Sequence, residues 1–202
     1  MSDKSLQFRI ATPDDAVQIQ NLIQSSFRTE DPRANWTGST ELASQFHISV
    51  DEVLANMHKP DCAVLVATDP ADGAIVASVE CVRRRTTSTA GISADNKNKN
   101  NNNGGGDLAR LSMLAVDDAR QRSGLGRKVL GRAEDYCRKE WGVTRLGLNA
   151  LSTRGELISW YERCGFERTG ETSAFPRGRF PALSLPEDLC FVELEKDLLR
   201  VA

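Results

Sequence analysis

The sequence has few of the residues that build metal centres and disulfide frameworks. Its five cysteines are scattered, odd in number and never spaced as a C-x-x-C pair, which fits free thiols in a reducing compartment. The two histidines, His47 and His58, stand without a metal partner or the arrangement of a serine or cysteine triad. We therefore expect no metal, and surface or packing roles for both histidines.

Long apolar runs and an excess of charge are also missing. No stretch approaches the roughly 18 apolar residues of a membrane span, and Met1–Lys4 carries no apolar signal core. We expect a cytoplasmic protein without a membrane partner. Because 26 Lys and Arg face 28 Asp and Glu, there is no electrostatic case for binding nucleic acid. The cluster Arg83–Arg85 is interpreted as a solvated strand end.

One segment differs from the rest in composition. Residues 86–107 run from Ser and Thr into an Asn- and Gly-rich tract, which cannot bury enough apolar area to offset its ordering entropy. The length of 202 residues suits one domain. We therefore predict a single domain over residues 1–202 with a disordered insertion at about 87–106. A segment that recruits a partner is the alternative.

The remaining sequence alternates between strand and helix patterns. Apolar residues from Ala16 to Phe27 recur at spacings of three and four, which predicts a core-facing helix after the Thr12-Pro13 start signal. The other predicted elements are strands at Leu6–Ile10, Cys62–Thr68, Ala74–Val82, Leu108–Val116, Arg145–Ala150, from Phe166 and at Leu189–Leu194, and helices at Val50–Met57, Gly124–Glu140 and Arg154–Cys164. Residues 28–47 are predicted to be loop with at most a short helical turn.

The segment after the strand Leu108–Val116 predicts an anion site. Gln121–Lys128 contains Gly124 and Gly126 and leads into a helix, whose first turn offers unpaired N–H groups and a positive dipole end. Glycines there would remove side chains where a phosphate presses on the backbone, and Arg and Lys add attraction. A pyrophosphate is the ligand expected at this turn.

Two common phosphate loops do not fit this segment. A Walker loop requires Gly-Lys-Ser/Thr, whereas Gly126 is followed by Arg127-Lys128-Val129. A Rossmann fingerprint requires a small residue at Val129 and an acidic ribose ligand after the next strand, where Asn149 and Ala150 stand.

The pattern Gln-x-x-Gly-x-Gly after a Leu-Ala-Val strand end resembles the signature of the GNAT acetyltransferases. Tyr161-Glu162-Arg163-Cys164-Gly165-Phe166 resembles their second cofactor segment, and Ala11–Asp15 resembles their usual opening. Arg154–Tyr161, together with Thr169–Glu171 and Phe175-Pro176, resembles an uncharacterised microbial subgroup of the family. The resemblance implies an α/β fold with a mixed, mostly antiparallel sheet, splayed central strands and helices on both faces. It also implies transfer of acetyl from acetyl-CoA to a primary amine in a ternary complex.

The resemblance also implies site residues. Tyr161 would be the general acid, although a packed core tyrosine is the alternative. Glu80 would be the general base, with an outward-facing surface glutamate as the alternative, and Arg110 stands where some members carry their glutamate. The expected cofactor residues are Leu114, Ala115, Val116, Gln121, Arg122, Ser123, Gly124, Leu125, Gly126 and Arg127. Trp36, Glu171 and Phe175 are candidates for the acceptor side.

A non-catalytic acyl-CoA binding or sensing module on the same fold is the alternative function. It would keep Gln121–Gly126 but need neither Tyr161 nor a base. The expected partner is a small-molecule or peptide amine whose identity the sequence leaves open. The oligomeric state is open too, with a homodimer as one alternative.

Overall fold

The computed structural model of the chain describes residues 6–33, 35–84 and 108–199. The predicted insertion at about 87–106 lies outside these ranges. In chain order the elements are β1 Gln7–Ile10, α1 Ala16–Arg28, α2 Thr40–Ser44, α3 Val50–Met57, β2 Cys62–Thr68, β3 Ile75–Arg84, β4 Leu108–Val116, α4 Leu125–Trp141, β5 Arg145–Leu151, α5 Gly155–Arg163, β6 Glu167–Ala174 and β7 Cys190–Asp197.

The strands form one sheet in the order β1-β2-β3-β4-β5-β7-β6. Every neighbouring pair is antiparallel except the central pair β4 and β5, which is parallel. The last strand, β7, lies between β5 and β6 instead of at the edge. The predicted mixed and mostly antiparallel α/β sheet is confirmed.

Helices cover both faces of the sheet, as the alternation along β2 shows. Leu65 and Ala67 pack in the same buried cluster as residues of α4 and α5. Their neighbours Val64 and Val66 pack against α1 and α3. Because successive side chains of a strand point to opposite faces, these helix pairs lie on opposite sides of the sheet.

Helix α4 forms from the apolar face that the sequence predicts. Its buried residues recur at helical spacing, and Gly142, with φ of +64°, ends the helix in the left-handed conformation. Each large apolar side chain fully buried in this way stabilises the fold by about 1.5–3 kcal/mol. The five buried residues are Leu125, Val129, Leu130, Ala133 and Cys137. This packing fixes the N-terminus of α4 against the sheet.

The stretch between α1 and α3 contains one short helix. Ser39 caps α2, since its Oγ accepts a hydrogen bond from the Leu42 N–H at 3.1 Å. Leu42 packs in a third buried cluster with Phe175 and Leu189. Helix α2 is therefore held against the C-terminal segment, and the short helical turn expected between residues 28 and 47 is confirmed.

Candidate active site

A cleft opens where the two parallel strands separate. β4 and β5 pair only from Leu108 to Arg110 on one side and from Arg145 to Gly147 on the other. Both strands continue beyond this point, to Val116 and Leu151. The cleft between them has a volume of about 580 Å³. The splayed pair leaves backbone groups of two strands facing a space large enough for a ligand.

Polar contacts hold the point at which the strands diverge. Arg110 on β4 forms an ion pair with Glu193 on β7 at 2.7 Å. Glu193 also accepts hydrogen bonds from Asn149 on β5 at 3.1 Å and from Ser173 on β6 at 2.7 Å. One carboxylate therefore joins four strands beside the cleft. Arg110 occupies the position at which some GNAT acetyltransferases carry a glutamate, and in this structure it pairs with Glu193.

A bulge distorts β4 at the same level. The register with β3 shifts between Ser78 and Glu80, which face Ala115 and Ser112. Met113 takes up the extra residue with φ of +49°, a conformation that is uncommon for residues other than glycine. The bulge turns the end of β4 away from the strand geometry that would continue its pairing with β5.

The turn before α4 has the geometry of an anion site. Arg122 and Gly124 both adopt positive φ, +61° and +82°, and Gly124 is the N-cap of the 17-residue helix α4. The helix thus directs its unpaired N–H groups and positive dipole end at this turn. Residues of the turn that line the cleft are Gln121, Arg122, Gly124, Gly126 and Arg127.

The two glycines of this turn are required for different reasons. A Cβ at Gly124 would meet no atom within 4 Å, and its positive φ explains the glycine. A Cβ at Gly126 would lie 3.3 Å from the Trp160 ring, so this glycine permits close packing of α4 on α5. Gly126 also lines the cleft, so its role in making room for a phosphate stays a prediction.

Not every predicted cofactor residue lines the cleft. Leu114 and Val116 do, whereas Ala115 is buried against α1 and Leu125 is buried in the α4 cluster. Ser123 is not among the lining residues, and its hydroxyl donates to the Arg120 carbonyl at 2.6 Å. These three residues shape the strand end and the turn from outside the cleft.

Tyr161 lines the cleft from α5, with a side chain that is almost fully buried. Burial raises its pKa to about 12, with the nearby Arg154 acting in the opposite direction. Its ring packs against Trp160 and Phe166 at centroid distances of 5.0 and 5.9 Å. The phenol is therefore protonated at every physiological pH, and its packing orients it.

Glu80 does not line the cleft. Its carboxylate accepts a hydrogen bond from the Ser112 hydroxyl at 2.9 Å, and Ser112 is a lining residue. Glu80 also borders a separate space of about 10 Å³ beneath α1. Glu80, the predicted base, is thus linked to the cleft by its hydrogen bond with Ser112. Ser112 is not among the predicted site residues, because a bulge leaves no pattern in the sequence.

The segment after α1 contributes further residues to the cleft lining. Arg33 pairs with Asp31 at 2.5 Å and lies 3.3 Å over the Trp36 ring. Arg154 donates from Nε to the Trp36 carbonyl at 2.8 Å. All four residues line the cleft. Only Trp36 was expected there, since a polar loop far away in sequence gives no pattern that predicts its contacts.

Of the remaining candidate residues, one lines the cleft and the others lie outside it. Phe175 lines the cleft, whereas Glu171, His47 and His58 do not. Cys164 is buried outside the cleft, and burial raises the pKa of its thiol, which disfavours the nucleophilic thiolate. In the described ranges no group of three or more His, Cys, Asp or Glu is placed to hold a metal ion. None of the described helices is both long and apolar enough to cross a bilayer.

Comparisons with known proteins agree with this architecture. Among solved structures, an acetyltransferase from Salmonella typhimurium with its cofactor acetyl-CoA, yncA, superposes with a TM-score of 0.62 at 18% identity, covering 98% of this chain and 97% of that one. A chimera of the spermidine N-acetyltransferase SpeG from Vibrio cholerae and hSSAT gives 0.61 at 16% identity, covering 96% of each chain. At these identities the likeness shows the fold. A search of curated proteins by sequence found no significant match.

Comparison of the sequence with family profiles identifies the family. The profile described as the acetyltransferase (GNAT) family matches residues 18–166. That range runs from α1 through the splayed strands and the turn before α4 to Phe166 after α5. The match over most of the chain shows that this protein belongs to the acetyltransferase (GNAT) family.

Proposed function

We propose that the protein is an N-acetyltransferase that transfers the acetyl group of acetyl-CoA to a primary amine by direct attack in a ternary complex. The observation that carries the proposal is a single cleft that joins the N-terminus of α4 to the splayed strands and Tyr161. The solved relative with acetyl-CoA supports the choice of acyl donor. The spermidine N-acetyltransferase relative supports an amine acceptor.

The residues present fit the proposed donor. The diphosphate would accept hydrogen bonds from the first N–H groups of α4, with Arg122 and Arg127 adding positive charge. The pantetheine arm would pair with the free edge of β4 beyond Arg110, in the manner of an added strand. In this pose the Leu114 N–H would face the thioester oxygen and stabilise its negative charge. The diphosphate, the pantetheine arm and the thioester of the donor would thus each have a counterpart in the cleft.

The reaction requires removal of one proton from the amine and stabilisation of the thiolate leaving group. The amine nitrogen forms a bond to the carbonyl carbon, the carbon–sulfur bond breaks, and the amine loses a proton. At pH 7 an amine with a pKa near 10.4 is neutral in roughly one molecule in 2,500, a cost of about 4.6 kcal/mol. We assign Ser112 and Glu80 as the route that removes the proton, because their 2.9 Å contact leads out of the cleft.

Tyr161 would act on the departing sulfur. With its pKa raised to about 12, the phenol remains protonated and donates a hydrogen bond to the thiolate. Complete transfer to a thiol with a pKa near 8.5 is uphill by about 5 kcal/mol. Tyr161 therefore stabilises the developing charge through this hydrogen bond and keeps its own proton, and the departing thiolate takes its proton from water.

The first test is acetyl-CoA binding by calorimetry and thiol release with a mixed amine panel. Gly124→Asp places a carboxylate in the anion site and should abolish binding. Gly124→Asn is the matched control, because asparagine meets the same positive φ without the negative charge, and it should bind acetyl-CoA at least about tenfold more tightly than Gly124→Asp. Tyr161→Phe should keep binding and lower kcat by roughly a hundredfold.

The possible results separate the two candidate functions. Loss of binding in Gly124→Asp together with loss of turnover in Tyr161→Phe supports the transferase. Binding without turnover on any amine would favour the acyl-CoA sensing module. Absence of acetyl-CoA binding by the wild-type protein would overturn the proposal.

A further inference from the structure

Two groups of phenylalanines line the cleft. Five of the seven in the chain line it, from elements distant in sequence. Phe27 stacks on Phe46 at 4.5 Å, and Phe175 contacts Phe180 and Phe191 at 5.5 and 5.7 Å. Helix α2 joins the second group through Leu42. The second group, Phe175, Phe180 and Phe191, forms an aromatic wall where α2, β7 and the segment before β7 meet. Phe27 and Phe46 pack in a separate cluster with α1 and α3.

The cleft is lined mainly by positive side chains, whereas a polyamine would need negative ones. Asp31 is the one carboxylate among the described lining residues, and it is paired with Arg33 at 2.5 Å. Arg122 also acts on Asp31, which places this pair toward the turn before α4. The cations that line the cleft are Arg33, Arg122, Arg127 and Arg154. No described carboxylate accompanies the aromatic wall within the cleft.

The polar groups nearest the proposed reaction are neutral. Ser112 and Asn149 line the cleft beside β4 and β5. Their side chains are already oriented by Glu80 and Glu193, through contacts of 2.9 and 3.1 Å. Such groups can accept a hydrogen bond from one amine but cannot balance a second full charge. The aromatic wall can bury an apolar body at low conformational cost.

We infer that the acceptor is a primary amine with a single positive charge and an apolar or aromatic body. The inference deepens the proposed acetyl transfer and rests on it. The amine would meet the acetyl group near Ser112, and its body would lie on Phe175, Phe180 and Phe191. A second ammonium group in that body would have no carboxylate among the described lining residues to balance its charge, because Asp31 is already paired with Arg33.

The test compares amines that differ in one feature. Hexylamine and hexane-1,6-diamine have the same chain, and only the second carries a distal charge; 2-phenylethylamine adds a ring. The expected kcat/KM is at least about tenfold higher for hexylamine and 2-phenylethylamine than for the diamine. Phe180→Ala should raise KM for 2-phenylethylamine about tenfold while acetyl-CoA affinity stays unchanged. The matched control is Phe8→Ala, because Phe8 lies on β1 outside the cleft lining.

A variant that gains activity on the diamine tests the role of charge even where other variants lose activity by misfolding. Phe180→Glu supplies the missing carboxylate and should shift the ratio of diamine to monoamine turnover by at least about fivefold toward the diamine. Equal or higher wild-type activity on the diamine would overturn the inference. Acetyl transfer confined to polar or polycationic amines would overturn it while leaving the proposed function intact. Absence of acetyl-CoA binding would remove both.

Discussion

At the scale of single residues, the site depends on contacts between strands. Glu80 was expected to act directly in the cleft, yet its carboxylate meets Ser112, and only Ser112 lines the cleft. The bulge at Met113 determines this arrangement, because it offsets β4 against β3 by one residue. If Glu80 removes a proton through the Ser112 hydroxyl, loss of either group lowers kcat, whereas loss of a purely structural hydrogen bond does not.

Ser112→Ala and Glu80→Gln are each predicted to lower kcat at pH 7 by roughly ten- to a hundredfold. The loss should diminish near pH 10, where more of the amine is neutral before it binds. The double variant should be no worse than the more damaging single variant, because the two groups act in one proton route. Measurement of pH–rate profiles with a saturating amine would show both effects.

The control for this pair is Ser173→Ala. The Ser173 hydroxyl also donates to a glutamate, Glu193, but is not among the lining residues. Its kcat should stay within about threefold of wild type. Additive losses for Ser112 and Glu80, with no relief at high pH, would contradict the proton route and leave the hydrogen bond a purely structural role.

At the scale of elements, the start of α1 shows how a sequence signal becomes a stabilising cluster. The Asp15 carboxylate accepts the Thr12 N–H at 2.7 Å and forms an ion pair with Arg9 of β1 at 2.6 Å. The hydrogen bond from Arg9 lowers the pKa of Asp15 to about 2. A short 3-10 turn over Pro13–Asp15 precedes the helix, so the helix begins three residues after the predicted proline start.

Asp15→Asn is predicted to reduce the free energy of unfolding by about 1–2 kcal/mol at pH 7, a value discounted because Arg9 is largely solvated. Because the folded pKa is depressed, the stabilisation is present above about pH 4 and is lost as the pH falls toward 2. Urea unfolding at pH 7, 4 and 3 should show wild type approaching the variant. The neighbouring Asp14→Asn, an exposed position, should change stability by less than about 0.5 kcal/mol. An equal loss in both variants, or one that does not shrink with falling pH, would contradict the assignment.

At the scale of the whole molecule, the predicted insertion at about 87–106 is expected to be dispensable for activity. Arg84 at the end of β3 pairs directly with Leu108 at the start of β4, so the ends of the intervening segment are adjacent. The active-site residues described above all lie outside residues 85–107. The single-domain organisation with an insertion at about 87–106 remains our prediction from composition.

Deletion of residues 87–106 should leave kcat/KM within about twofold of wild type. Arg85, Thr86 and Asp107 would then join the strands as a three-residue hairpin loop. Stability should be unchanged or higher by up to about 2 kcal/mol, because a shorter loop costs less entropy to close. A variant with the same residues in scrambled order is the length control. Loss of activity in the deletion alone would assign the spacing a role, and loss in both would assign the sequence a role.

Local patterns in the sequence determined much of this protein. Helical periodicity located α1, α4 and α5, and the glycine turn before α4 was recognisable because its conformation depends on neighbouring residues. Tyr161 was found through its motif. These features follow from interactions between residues close in the chain, for which spacing and residue type are sufficient.

Tertiary structure alone decided the rest. The insertion of β7 between β5 and β6, the clamp around Glu193 and the route from Glu80 through Ser112 join residues far apart in sequence. Phe175, Phe180 and Phe191 form one wall with Leu42 only because α2 and the C-terminal segment meet. Pairing of distant segments depends on the packing of the whole core, and no local pattern encodes which side chains will share a cleft.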